Sequence, residues 1–103
     1  MADYELAPEV ESDLEGVFDY TIDRWGIDQS YRYKGKLAAH FRRIGQGKAI
    51  TRTFLNRSPV LQVSRCEHHY VFHIIRENKP HLIVAVLHEC MALVRRIKRR
   101  MDG

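Results

Sequence analysis

Six histidines, two cysteines and a scatter of arginines are the residues in this 103-residue chain that could do chemistry. His40, His68, His69, His73, His81 and His88 carry ring nitrogens suited to proton transfer near neutral pH or to a borderline metal ion. On an extended strand His69 and His73 share one face, and with Cys66 or Cys90 they could make a zinc set. The chain offers neither a C-x-x-C pair nor two histidines four apart on a helix, the spacings that make a metal site specific. The histidines therefore read as surface or half-buried side chains, with no metal and no cofactor expected. RNA cleavage through the 2′-hydroxyl would need a base, an acid and cations around the phosphate. Arg52, Arg57, Arg65, Tyr70 and His88 are the available parts, and they stand in no recognisable nuclease arrangement. No residue is assigned a catalytic role, and the chain is not expected to be an enzyme.

Any such side chains must be positioned by one small body. A chain of this length supports one hydrophobic core, so residues 1–103 are expected to form a single domain. Its 45% hydrophobic and 29% charged content is that of a globular protein. No run approaches the roughly 20 apolar residues needed to cross a bilayer. The start, Met1-Ala2-Asp3-Tyr4-Glu5, lacks the basic and apolar regions of a signal peptide, so a cytoplasmic location is expected. There Cys66 and Cys90 should remain thiols and behave as small apolar residues. The net charge of +4 is unevenly distributed. Residues 1–30 carry nine acidic side chains, Asp3, Glu5, Glu9, Glu11, Asp13, Glu15, Asp19, Asp23 and Asp28, against Arg24. The end carries Arg95, Arg96, Lys98, Arg99 and Arg100 against Asp102. Either an anionic partner at the C-terminal end or a solvated basic helix face accounts for this.

Periodicity predicts the elements. Tyr4-Glu5-Leu6 reads as a short strand, and Pro8 suits the first turn of a helix. Val10, Leu14, Val17, Phe18, Thr21 and Trp25 then recur at helical spacing, and Gly26 is the C-cap candidate. Asp28 is the N-cap candidate for a second helix with the stripe Tyr33, Leu37, Ala38, Phe41 and Ile44, ended by Gly45-Gln46-Gly47. So short a connection makes the two helices antiparallel. Gly16 and Gly35 inside them mean either close helix packing or room for a partner. Residues 46–60 read as a linker. Leu61, Val63 and Arg65 alternate with Gln62, Ser64 and Cys66, the pattern of a strand with one wet face. Residues 70–75 form a second strand and Glu77-Asn78-Lys79-Pro80 a turn. Residues 82–87 are apolar on both faces, which suits a covered central strand. A last helix from about Glu89 to Met101 carries Cys90, Leu93, Val94, Ile97 and Met101 on one face, with its five basic residues projecting outward. The expected fold is α+β: a short N-terminal strand, an antiparallel helical hairpin, a three-stranded antiparallel meander and a C-terminal helix.

Two ordered blocks of residues add a second line of reasoning. The first is Asp13-Leu14, Tyr20, Trp25-Gly26, Gln29, Tyr33, Leu37 and Phe41. The second is His69-Tyr70-Val71-Phe72 followed by Leu87-His88-Glu89-Cys90-Met91. Together they resemble the ParE branch of the RelE/ParE toxin superfamily, whose H-x-x-M is matched by His88 and Met91. The chain departs from the pattern with Ala92, where the family has Asp after the Met, and in the segment from Arg52 to Ser58. The resemblance implies the toxin of a type II toxin–antitoxin system. Such a toxin inhibits DNA gyrase by binding and is neutralised by a cognate antitoxin in a hetero-oligomer. No direct nucleic-acid binding and no membrane partner are implied. The target-binding candidates are His88, Met91, Arg95, Arg96 and Arg99; the antitoxin-binding candidates are Tyr20, Trp25, Tyr31 and Tyr33. Leu14, Trp25, Leu37, Phe41 and Phe72 look like core by periodicity. The alternative is the sister branch, the RelE-type ribosome-dependent mRNA endoribonucleases.

Overall fold

The computed structural model describes residues 3–56, 59–89 and 93–102, with only the backbone at 93 and 94. In chain order the elements are β1 (Tyr4–Leu6), α1 (Pro8–Trp25), α2 (Ile27–Gly45), β2 (Arg52–Leu55), β3 (Leu61–Cys66), β4 (His69–Ile74), β5 (His81–His88) and α3 (Leu93–Asp102). The strands form one sheet in the order β1-β5-β4-β3-β2.

Two corrections follow. The sheet has five strands and is mixed, whereas three antiparallel strands were expected. β1 joins it parallel to β5, with Leu6 opposite Ile83. The segment read as a linker contains β2, which pairs antiparallel with β3 through an irregular register. β2 lacks the apolar alternation of a strand because only its inner side is covered. Phe54 supplies that side, its ring meeting Phe72 edge-on at 5.1 Å. A partly exposed edge strand needs little apolar content to form, so its pattern was faint.

The hairpin is tighter than expected. Gly26 alone joins α1 to α2, at φ 88° and ψ 170°, a conformation that L side chains strongly disfavour. It caps both helices, so Asp28 is not an N-cap. Asp28 sits inside the first turn of α2, where its carboxylate faces the positive end of the helix dipole. A Cβ on Gly16 or Gly35 would meet no atom within 4 Å, which removes close helix packing as the reason for either glycine. Gly45 is different: a Cβ there would fall 2.3 Å from the backbone oxygen of Asp3.

Val10 and Val17 of α1 and Tyr33, Leu37, Phe41 and Ile44 of α2 are buried in one core with Val71, Phe72 and residues 83–87 of the sheet. As expected, residues 82–87 form an interior strand, largely buried. The wet face expected of β3 is covered. Ser64 and Cys66 are buried because α2 lies over them; His40 is hydrogen-bonded to Ser64 Oγ at 2.8 Å. Trp25, expected in the core, is 68% exposed, because the chain turns at Gly26 before its ring can reach the sheet. Leu14 is only partly buried, while Leu37, Phe41 and Phe72 are core.

At the C-terminal end Glu89 lies in a turn, and the described part of the last helix begins at Leu93. Cys90, Met91 and Ala92 lie outside the described residues. Ile97 is fully buried and Met101 packs against the core, as the stripe predicted. Arg100 does not project outward; it forms an ion pair with Asp13 of α1.

Candidate functional site

Two open cavities meet at the end of the helical hairpin. The first, of about 410 Å³, is bounded by Tyr20, Trp25 and Gln29 on the helices, by His69 and His88 on the strands and by His68 in the β3–β4 turn. The second, of about 430 Å³, lies between α1 and the end of β5 and also touches Tyr20, His69 and His88. The shared residues are held by ring contacts. His69 and His88 are directly opposite one another on β4 and β5, with ring centroids 5.2 Å apart. Tyr20 lies 5.6 Å from the His88 ring, and the Arg24 guanidinium lies over the Tyr20 ring at 5.3 Å.

Beneath this surface, Tyr33 is buried at 8% exposure. Its hydroxyl donates to the Cys66 carbonyl oxygen at 3.1 Å and shares a very short contact with His69 Nδ1. Burial raises the Tyr33 phenol well above its ordinary value, with nearby Cys66 and Glu67 adding to the effect. Burial also lowers His69 to about 4, helped by His88 and His68. Near neutral pH the pair is therefore an uncharged phenol and an uncharged imidazole. It lies in the lining of the first cavity. Of the antitoxin-binding candidates, Tyr33 lines the first cavity but is buried, while Tyr20, Trp25 and Tyr31 are exposed at 43%, 68% and 66%.

Charge surrounds the exit from β5. Glu89 accepts from Arg65, stands 3.4 Å from His68, and donates its backbone N–H to the His68 carbonyl at 3.0 Å. Lys36 and Glu67 pair across α2 and the β3–β4 turn at 3.1 Å. Beyond this rim, Arg95, Arg96, Lys98 and Arg99 are exposed on α3 and form no ion pair among the described residues. Of the target-binding candidates, His88 thus lies at the cavities, Arg96 borders the second cavity, Arg95 and Arg99 face solvent, and Met91 lies outside the described residues.

Of the groups weighed for RNA cleavage, three are brought together, apart from His88. Arg52, Arg65 and Tyr70 line a third cavity on another part of the sheet, with Arg65 over the Tyr70 ring at 5.6 Å. His88 borders the first two cavities, and Arg57 lies outside the described residues. Among the described residues no three His, Cys, Asp or Glu side chains are grouped to hold a metal ion. None of their helices is long and apolar enough to cross a membrane. Sequence reasoning missed the Tyr20–His88 and Tyr33–His69 contacts, whose partners are far apart in the chain; a shared position in the two family-like blocks was the one available signal.

Comparison with known proteins agrees with this architecture. The chain is 41% identical to Toxin ParE of Escherichia coli over the full length of both. It is 29% identical to Toxin ParE1 of Mycobacterium tuberculosis over 94 residues, 91% of this chain and 96% of that one. The family model for the ParE toxin of type II toxin–antitoxin systems, parDE, matches residues 4–93. The match covers both blocks of residues, the hairpin, the whole sheet and the lining of the first cavity, and the chain belongs to the ParE toxin family of type II toxin–antitoxin systems.

Proposed function

We propose that this toxin acts in the cytoplasm as a single domain, inhibiting DNA gyrase by binding and without catalysis of its own. A cognate antitoxin neutralises it by covering the helical hairpin. Membership of the ParE family carries this reading, and the surface fits it. Tyr20, Ile22, Trp25, Ile27 and Tyr31 flank Gly26 and leave large apolar side chains in solvent. An exposed apolar patch of this kind marks a protein interface, and aromatic residues supply its strongest anchors. An amphipathic antitoxin helix can lie on the hairpin, and an extended segment can pair with the open edge of β2.

The gyrase contact is assigned to His88, Met91, Arg95, Arg96 and Arg99. Inhibition by binding needs shape and charge, both of which α3 supplies, and no acid–base pair. The deciding experiment sets a supercoiling assay with purified gyrase beside an mRNA cleavage assay on ribosomes. Supercoiling should fall with toxin concentration while mRNA stays intact. Cleaved mRNA with unaffected supercoiling would replace this reading with that of the RelE branch.

A further inference from the structure

We infer that Asp13 and Arg100 are positioning residues for toxicity: together they clasp α3 to the body and set the direction in which its exposed arginines point. The clasp arises where the sheet edge runs out of partners. β1 ends at Leu6 opposite Ile83, and Ala7 N–H donates to the Ile83 carbonyl at 2.8 Å. β5 continues to His88 with a register shift between Phe72 and His73 on its other side. Past Ile83 two of its backbone groups are met by side chains. Arg100 Nη1 donates to the Val84 carbonyl at 3.0 Å, and Val86 N–H donates to Asp13 Oδ2 at 3.0 Å. The two side chains are joined by a two-pronged ion pair, Nη1 to Oδ2 at 2.7 Å and Nη2 to Oδ1 at 3.2 Å. One carboxylate and one guanidinium thus tie α1, β5 and α3 at a single point.

This geometry differs from the other charge pairs described. The Asp13 side chain keeps 10% of its accessible surface and Arg100 26%, whereas Lys36 and Glu67 keep about half of theirs. A partly buried, two-pronged pair that also satisfies backbone groups fixes orientation, because loss of Arg100 leaves the Asp13 carboxylate without its cation and the Val84 carbonyl without its donor. Arg100 is thereby distinguished from Arg95, Arg96 and Arg99, which face solvent. Among the described side chains of α3, Ile97 and Met101 supply apolar attachment. The two-pronged pair adds a directional polar tie near the end of the helix.

This inference rests on the reading that α3 presents the target-binding residues, and the test separates the two. Four proteins are compared: the wild type, Arg100→Gln, Arg100→Lys and Asp13→Asn, the last retaining an acceptor for Val86 N–H. Amide hydrogen exchange along the whole chain reports the clasp without reference to any target. Residues 97–102 should exchange at least tenfold faster in Arg100→Gln and Asp13→Asn and by an intermediate factor in Arg100→Lys, with β3–β5 still protected. In the same proteins the concentration for half-inhibition of gyrase should rise more than tenfold, while antitoxin Kd stays within about threefold.

Wild-type exchange in residues 97–102 of both Arg100→Gln and Asp13→Asn would overturn the clasp. So would lost inhibition by Arg100→Gln with full inhibition by Asp13→Asn, which would make Arg100 a direct target contact. Deprotection of the sheet together with α3 would make the pair a general structural tie and overturn the positioning role. A wild-type toxin that leaves gyrase untouched would overturn the positioning role in gyrase inhibition, and the exchange data would still decide whether the clasp exists.

Discussion

Tyr33 and His69 are buried side by side and share a hydrogen-bonding contact where little of either side chain meets water. Tyr33→Phe keeps the ring and strips the Cys66 carbonyl and His69 Nδ1 of their shared partner. The expected cost is roughly 1–3 kcal/mol, the penalty of leaving buried polar groups unmade. For a domain of this size each kcal/mol lowers the thermal midpoint by about 4–8 °C, so an unchanged midpoint would refute the contact. His69 and His73 lead to a second expectation. Burial, aided by neighbouring histidines, lowers both from 6.5 to about 4. Between those values the unfolded chain binds protons that the folded chain does not, so stability must fall as pH drops from 6.5 towards 4. The loss is about 2 kcal/mol for each histidine at pH 5, about 3 kcal/mol below pH 4, and absent above pH 7. Urea unfolding at pH 7 and pH 5 measures the part lost by pH 5. A wild type equally stable at both pH values, or a His73→Leu variant with the same slope as wild type, would contradict the assignment.

Among the elements, the hairpin makes the clearest prediction because its glycines have opposite roles. Gly26 is held at positive φ by the single-residue joint, and Gly26→Ala should cost about 1–3 kcal/mol in backbone strain. Gly35 lies in the middle of α2 with open space where a Cβ would be, so Gly35→Ala should stabilise the fold by about 0.5–1 kcal/mol through helix propensity. Paired thermal melts check both, and midpoints moving in the same direction would contradict the hairpin geometry. At α3 the outward set is smaller than the charge pattern implies, because Arg100 is withdrawn from it.

At the scale of the molecule, charge is sorted by surface. Glu11, Glu15, Asp19 and Asp23 recur every four residues on the exposed side of α1, while α3 exposes Arg95, Arg96, Lys98 and Arg99. Like charges four apart on a helix cost a few tenths of a kcal/mol per pair, so each surface is tolerated against a small intrinsic penalty. Reversing Arg95, Arg96 and Arg99 to Glu should leave the thermal midpoint within a few degrees, since none of the three is buried. It should leave most antitoxin affinity, because the apolar patch lies on the hairpin. Growth inhibition should be abolished. The variant must be assayed for midpoint, antitoxin binding and colony formation together. A folded variant that still stops growth would show that these arginines only solvate the helix.

Much of this could be read from residue order alone. The stripes Val10–Val17 and Tyr33–Leu37–Phe41–Ile44, the apolar run 82–87 and the turn at Asn78 are local signals, because periodicity and turn chemistry act between neighbours in the chain. The two ordered blocks, with His88 and Met91, pointed to the toxin family. What the residue order left open depended on where distant segments meet. β2 became a strand because Phe54 found Phe72, and Trp25 stayed in solvent because the chain turned one residue later. β1 joined the sheet because β5 had an open edge. Arg100 was indistinguishable from Arg95, Arg96 and Arg99 as one more basic residue on α3. Only folding brought it to Asp13, 87 residues away, where bare backbone groups of β5 made a two-pronged ion pair favourable. Periodicity specifies which face of an element is apolar; which polar groups meet is decided by burial, which removes water as an alternative partner.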